Sequence, residues 1–360
     1  MSDKTLKVGI VGTGNIADYH AKAFKSLAPK FEIVAIADLQ KDRAVDFAEK
    51  HDVPNICADL EELLVFSDLD VVDLCTPPRF HVEQILSSLD AGLNVICEKP
   101  VAGSLADMDR IIAKETETGN WLMPIFQNRF DLEYRKIKAL RDADLTGRHH
   151  MSILETSWLR GDAYYDGTGR GILKNELGGT LATHVIHAHD LLYHLVDRPS
   201  QVFARTSIRR DGLESEDLAI VSFGFADGSM ASSTATLASQ REISRYSFMF
   251  DHLTVQGEVD MESWDAGSWR FIASDPEVNA KVQAVLDSVP DLPGQFAGQF
   301  LALYGALLAG QKPPVTTGHA KDSIELLTAM YFSVAHSTDV TLPILPEHPY
   351  YYGWLNLDQL

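Results

Sequence analysis

The residues best suited to chemistry begin at Gly12. Val8-Gly9-Ile10-Val11-Gly12-Thr13-Gly14-Asn15-Ile16-Ala17 places G-x-G-x-x-A between a run of strand-forming residues and a helical pattern. Gly12 permits a tight turn, Gly14 lets the main chain approach a pyrophosphate, and Ala17 lets the helix pack close to the strand. The turn through Thr13 and the helix start at Asn15 and Ile16 then offer free N–H groups and a positive dipole end to phosphates. A glycine turn of this kind also occurs in α/β proteins that bind no nucleotide. Asp38 narrows the choice. It ends the second apolar run, about 20 residues beyond the turn, where an acid bonds the adenine-ribose hydroxyls and repels a 2′-phosphate. The spacing therefore predicts NAD in preference to NADP. Leu39 and Gln40 follow Asp38, and the first cation after it is Lys41.

Three more segments follow apolar runs: Thr76-Pro77-Pro78-Arg79-Phe80-His81, Glu98-Lys99-Pro100, and Gln127-Asn128-Arg129-Phe130. In a doubly wound sheet, ligands bind beyond the carboxyl ends of the strands. These segments are therefore expected at the same edge as the glycine turn, with Thr76, Pro77, His81, Glu98 and Gln127 toward the cofactor. An ammonium at Lys99 can stabilise negative charge on a reacting oxygen and relay a proton; a surface ion pair is the plainer reading. Arg129 reads equally as a substrate contact or a structural ion pair. Further on, Trp158, Arg160, Tyr164 and Tyr165 end one segment and begin a glycine-rich loop. Aromatic faces and a guanidinium suit sugar rings and hydroxyls, with core packing as the rival.

The elements that must position these residues fall into two halves. Leu6–Val11, Phe31–Ala37, Leu69–Cys75, Leu93–Cys97 and Trp121–Phe126 are short apolar runs, as expected of parallel strands buried on both faces. Helical patterns lie between them, which predicts a doubly wound α/β domain over residues 1–125. Residues 126–360 read as a second, α+β domain with a large open sheet, mixed or antiparallel. Its strands are expected at Met151–Leu159, Gln201–Ile208, Leu218–Phe225, Ser229–Leu237 and His252–Val259, with a hairpin turn at Ala226–Ser229. Helices are expected at Leu132–Arg141, Gly179–Val196, Phe296–Ala309 and Lys321–Ala335.

In this order the motifs VGIVGTGNIA, Asp38, CTPPRFH, ICEKP and GGTLATHVIHAHDLL make the chain resemble the glucose–fructose oxidoreductase / inositol 2-dehydrogenase (Gfo/Idh/MocA) family. The resemblance implies an N-terminal Rossmann domain and a C-terminal sheet through which members form dimers or tetramers. It implies NAD-dependent oxidation or reduction of a secondary alcohol or ketone of a sugar, polyol or sugar derivative. It also implies that Lys99 touches the substrate hydroxyl and nicotinamide ribose, and that His187 accepts the proton. The family pattern is often Asp-x-x-x-His, and here the first position is Thr183. Residues four apart share a helix face, so Thr183 should also point at substrate. Three outcomes stay open: Lys99 and His187 suffice, with Thr183 binding substrate; His184 supplies the missing group; or the redox chemistry is altered or lost. Two further readings accompany the dehydrogenase. One is NAD-assisted glycoside elimination through a transient keto-sugar. The other is a non-catalytic NAD-binding regulator.

Composition bounds the partners. The 360 residues carry 31 basic and 51 acidic side chains, a net charge of −20. Such acidity argues against nucleic acid and anionic membrane surfaces. No apolar run reaches membrane-span length, and the first residues do not read as a signal peptide. Cys57, Cys75 and Cys97 lie in or beside apolar stretches without a CxxC, as in reduced cytoplasmic proteins. Cys97, beside the Lys99 turn, is also read as a candidate reactive thiol. His184, His187 and His189 do not lie on one helix face, so no metal is expected. His189 reads as a domain-packing or surface histidine.

Overall fold

Parallel pairing throughout the first sheet fixes the edge at which its chemistry lies. The structure, a computed structural model, describes residues 4–66, 68–260 and 268–355. It forms two compact units. One comprises the residues up to Phe130 with Pro293–Ile324; the other comprises Asp131–Leu292 and the residues from Glu325 onward. Among the described residues no helix is long and apolar enough to cross a membrane.

The first unit is the expected doubly wound layer. Strands β1 (Leu6–Val11), β2 (Phe31–Ala37), β3 (Ile56–Cys57), β4 (Val71–Leu74), β5 (Asn94–Cys97) and β6 (Leu122–Pro124) are ordered β3-β2-β1-β4-β5-β6, all parallel. Helices α1 (Asn15–Ser26), α2 (Lys41–His51), α3 (Leu60–Leu64), α4 (His81–Asp90) and α5 (Leu105–Thr118) connect them. The strand order reverses at β1 and β4, the switch point where such sheets take ligands. Val8, Ile10, Ile36, Val71, Val72 and Ile96 are fully buried, because helices cover both faces. Asp73 is equally buried within β4, an acid that must find a partner there. Local signals set the helix limits: the Ser104 hydroxyl accepts from Asp107 N–H at the start of α5, and Gly119 ends it at φ 76°, as left-handed caps do.

Residues 293–324, which alternation alone assigned downstream of residue 126, belong to this unit. The helix Gln295–Leu308 stacks Phe300 on Phe24 of α1, with ring centroids 4.1 Å apart. Gln299 accepts from Phe126 N–H at 3.1 Å and donates to the Pro124 carbonyl at 2.8 Å. It thereby satisfies main-chain groups at the end of edge strand β6.

The second unit contains α6 (Leu132–Asp142), β7 (His149–Leu159), α7 (Asp162–Tyr165), α8 (Leu173–Glu176), α9 (Thr180–Thr183) and α10 (Ile186–Leu195). β8 (Gln201–Ser207), β9 (Leu218–Gly224), β10 (Met230–Thr236), β11 (Ala238–Phe250), β12 (Leu253–Asp260), β13 (Arg270–Ala273) and α11 (Pro276–Ser288) follow. After α12 (Gln295–Leu308) come α13 (Thr317–His336) and β14 (Val340–Thr341). The sheet runs β13-β12-β11-β7-β10-β9-β8-β14. It is mixed, because β7 pairs parallel with β10 while its other pairings are antiparallel. β9 and β10 form the expected hairpin, turning at Gly228 with φ 87°. Leu154, Phe223, Phe248 and Val255 are buried, whereas Met151, Ile153, Ile220 and Met230 are exposed. The single helix expected over Gly179–Val196 is instead two, interrupted at His184 and Val185.

Candidate cofactor and substrate sites

In the first unit the glycine turn has the geometry its residue types require. Gly12 sits at φ 85°, and a Cβ there would come within 3.0 Å of the Cys75 carbonyl. A Cβ on Gly14 would meet nothing within 4 Å among the described residues, so the space before it is open. Among the described residues no side chain caps α1, whose N-cap is Gly14. The helix therefore begins with main-chain donors at Asn15 and Ile16 directed to that space. Buried Ala17 lets α1 lie against the sheet. An adenine dinucleotide, when bound, would place its pyrophosphate on these donors.

Asp38 follows β2 on the same edge and is already engaged. Its carboxylate accepts from Thr13 N–H, Thr13 Oγ1 and Gln40 N–H, each at 2.8 Å. Thr13 thus spends both donors on Asp38. Arg43 closes a fork on it, with Nη2 at 2.7 and 2.8 Å from the two oxygens and Nε at 3.1 Å. Burial works against the charge, but the bonds from Gln40, Thr13 and Arg43 hold the carboxyl below its ordinary range. Reading only to Lys41 missed Arg43; one helical turn into α2 would have found it.

Beyond β4, Thr76 Oγ1 donates to Gln84 Oε1 at 2.5 Å, and Pro77 precedes a short 3-10 turn. His81 is fully buried. Its Nδ1 lies 2.9 Å from the Pro100 carbonyl and its Nε2 2.8 Å from the Thr76 carbonyl. Burial, the leading cause, pushes its pKa below the usual histidine value despite those carbonyls. His81 therefore lies between the segment after β4 and the segment after β5, and as a neutral ring it donates to one of the two carbonyls. Lys99–Pro100 is cis, and Lys99 N–H donates to Glu98 Oε2 at 3.1 Å. Gln127 is buried, and its Oε1 has no partner among the described residues, as expected of a group awaiting a ligand. Arg129 is buried, its guanidinium over the Phe126 ring at 5.5 Å. Cys97 is buried, and burial first of all holds its thiol well above the ordinary range, which removes the reactivity considered for it.

The second unit assembles the remaining candidates around His184. The Thr183 hydroxyl donates to the Gly179 carbonyl at 2.7 Å and lies 2.7 Å from His184 Nδ1. Its proton being spent, it accepts from Nδ1–H, and His184 Nε2 is left to accept from Arg160 Nε at 3.3 Å. That pattern makes His184 neutral with the proton on Nδ1. Trp158 stands edge-on to the His184 ring at 5.4 Å and donates from Nε1 to Ser244. Arg160 lies over Trp158 and Tyr164 and pairs with Glu242 at 2.7 Å. Tyr165 packs against Tyr164 and under Arg210, and burial pushes its hydroxyl up to about 12. His187 is half-buried on α10. The break at His184 and Val185 removes the continuous helix from which Thr183 was expected to share a face with His187. Thr183 instead fixes the orientation and tautomer of His184. His189 is buried against Phe223 and Ser233, and burial lowers its pKa to about 3.

The glycine pair before Thr180 rests on a carboxylate that sequence reading missed. Glu216 accepts from Gly179 N–H at 3.1 Å, Leu181 N–H at 3.0 Å and Tyr331 OH at 2.9 Å. A Cβ on Gly179 would come within 2.1 Å of the Glu216 carbonyl oxygen. Only glycine allows that approach.

Comparison with known proteins gives matches over both units. Residues 6–126 match the oxidoreductase family model with an NAD-binding Rossmann fold, and residues 134–258 match the GFO/IDH/MocA C-terminal domain. The chain is 31% identical to the uncharacterized oxidoreductase YrbE of Bacillus subtilis over 148 residues, 41% of this chain and 43% of YrbE. It is 30% identical to the myo-inositol 2-dehydrogenase of Thermotoga maritima over 146 residues, 41% of this chain and 43% of that enzyme. Each of these alignments thus spans less than half of the relative. Among solved structures, the WlbA dehydrogenase of Bordetella pertussis, in complex with NADH and UDP-GlcNAcA, superposes with a TM-score of 0.84 at 23% identity. That superposition covers 96% of this chain and 100% of WlbA.

Proposed function

Because the chain belongs to the Gfo/Idh/MocA oxidoreductase family, we propose that it transfers a hydride between NAD and a secondary alcohol or ketone of a sugar, polyol or sugar derivative. One observation carries the reading. The open, uncapped start of α1, the acid at Asp38 and the Lys99 turn all lie at the carboxyl edge of one parallel sheet. That edge is where such sheets bind dinucleotides and act on their substrates. The myo-inositol relative and the sugar nucleotide bound to WlbA support a polyhydroxylated substrate.

In this reading NAD, when bound, supplies the hydride acceptor, and the chain supplies the rest. Gly12, Gly14, Asn15 and Ile16 hold the pyrophosphate; Asp38 holds the adenine ribose; Gln127 meets the nicotinamide end. Lys99 polarises the reacting oxygen, and His187 accepts its proton. Thr183, through His184, sets the orientation of Arg160 and Trp158 for a sugar ring. The exposed side of the second sheet joins subunits into a homodimer or homotetramer. Three buried, unpaired cysteines suit a reducing, cytoplasmic setting.

The test is to load the protein with NAD, add pooled sugars, polyols and sugar acids, and follow reduced nicotinamide. His187→Ala is expected to lose about 10²–10⁴-fold in kcat, as removal of a general base does, with NAD affinity retained. Unchanged turnover would take His187 out of the mechanism. NAD binding without reduction of any pool would turn the reading toward a non-catalytic role.

A further inference from the structure

We infer that His20 is a buried imidazolium that positions Lys99 by gripping Glu98. The inference rests on the reading of Lys99 as the residue that holds the substrate oxygen. His20 is fully buried on the inner face of α1, the helix that starts at the glycine turn. Its Nδ1 lies 2.9 and 3.1 Å from the two oxygens of Asp73, and its Nε2 lies 3.1 Å from Glu98 Oε1. An ionised carboxylate offers only lone pairs, so a ring bonded to one through each nitrogen carries a proton on both. Every neighbour is consistent with that state. Burial, the largest single influence, opposes the charge, but the contributions of Asp73 and Cys75 together outweigh it and hold the ring well above the usual histidine range. Cys75 Sγ, 3.5 Å from Nδ1, stays a neutral thiol, since burial raises it to about 12. The remaining wall is apolar: the rings of Phe296 and Phe300 stand 4.6 and 5.4 Å away.

The consequence runs along the chain. Glu98 gives Oε1 to His20 and Oε2 to the main-chain N–H of Lys99. One carboxylate thus ties the Lys99 peptide to α1, and His20 ties that carboxylate to Asp73 of β4. The helix that receives the pyrophosphate and the turn that presents Lys99 share a single charged support. Asp73 has its partner, which explains an acid in the middle of a fully buried strand. His20 touches no substrate atom in this account; it is a positioning residue.

The test reads the ring and the lysine separately from turnover. In ¹⁵N-histidine NMR of the NAD-loaded protein, both His20 nitrogens should keep imidazolium shifts well past the free value near 6.5. His20→Gln should shift the Lys99 amide resonance. With a sugar that the wild type oxidises, it should lower kcat by about ten- to a hundredfold, the scale of a misplaced catalytic group, at unchanged KM. The wild-type kcat should fall at high pH along the titration of the ring, and His20→Gln should lack that limb. If that variant fails to fold, Glu98→Gln should give the same split of kcat from KM. A neutral His20 ring at neutral pH overturns the inference, as does a Lys99 amide unmoved by His20→Gln. Tight zinc binding that abolishes the imidazolium shifts overturns it too, since Nδ1 of His20, an Asp73 oxygen and the Cys75 sulfur lie within 4.8 Å of one another. If no sugar or polyol is oxidised, the proposed function falls, while the ring shifts and the Lys99 amide still decide the role of His20.

Discussion

Asp38 shows how a residue picked out by its position can still be read incompletely. Its place after β2 fits the adenine ribose, but its oxygens are shared among Thr13, Gln40 and Arg43. A ribose must therefore join or displace a charge-assisted fork of the stronger kind. The same guanidinium puts positive charge beside the position where a 2′-phosphate would lie. Arg43→Ala should free Asp38 and remove that cation, so the preference for NAD over NADP rises by about tenfold, equivalent to ~1.4 kcal/mol. Asp38→Ser should move the preference the other way. Dissociation constants for the two cofactors, measured by quenching of intrinsic fluorescence, give the ratio directly. A ratio that Arg43→Ala leaves unchanged would show that Arg43 only buttresses Asp38. Sequence made Asp38 visible because its signal is a fixed interval. Arg43 was hidden because it acts from the next helix. His20 was hidden because a histidine on an apolar helix face usually means packing. The clue was Asp73, an acid inside the apolar run Val71–Cys75, which required a partner.

Elements were legible where their burial is uniform. β1, β2, β4 and β5 are continuous apolar runs, and their parallel sheet follows from the intervening helices. β11 was missed, although it spans Ala238–Phe250 and pairs with both β7 and β12. Its first residues, Ser239-Gln240-Arg241-Glu242, are polar, and its register against β7 shifts between Ala238 and Ile243, so simple alternation fails. The break between α9 and α10 was equally silent, and the start of α9 is held by Glu216, more than thirty residues away along the chain. That carboxylate takes the N–H groups of Gly179 and Leu181 at the start of α9, while Thr180 N–H donates to its carbonyl at 2.8 Å. Burial, the leading influence, raises the Glu216 carboxyl against three donors that favour its charge. Glu216→Gln presents an amide NH₂ where one of those donors points, and should cost about 1–3 kcal/mol, the penalty of an unsatisfied buried group. Gly179→Ala meets main chain rather than a movable side chain and should cost about 1–3 kcal/mol by overpacking. Denaturant midpoints at constant slope measure both. The pH dependence separates the charge from the fit. An acid whose folded pKa is raised binds its proton more tightly when folded, so wild-type stability relative to Glu216→Gln should decline as pH rises from about 4.5 through the folded value. A difference that grows with pH would mean that the three donors win over burial.

At the scale of the molecule, the second sheet has one covered and one uncovered face, and the uncovered one is apolar in the middle. Met230 of β10 lies in register with Met151 of β7, Ile153 sits beside Ser232, and Ile220 of β9 sits beside Thr234. Ile220 and Met230 are 63% and 60% exposed, high for large apolar side chains on three neighbouring strands. Toward β11 and β12 the same surface turns polar, with Arg245 between Glu155 and Glu258. Such exposed pairs add little stability, but they frame an apolar centre with a polar rim, as interfaces do. In the proposed reading, a second copy of the chain covers it. A two-fold axis would bring like residues together, so methionine and isoleucine would meet their own kind, with Arg205 of β8 beside Ile220 at the edge of the strip. The wild type should therefore sediment as a dimer or tetramer. Ile220→Glu combined with Met230→Glu should yield a monomer, because a buried carboxylate facing its symmetry mate is both desolvated and repelled. NAD binding should survive that change, since the glycine turn, Asp38 and Gln127 all belong to the first unit. A wild type that sediments as a monomer at micromolar concentration would leave the apolar strip for another partner and remove the oligomer from the proposal.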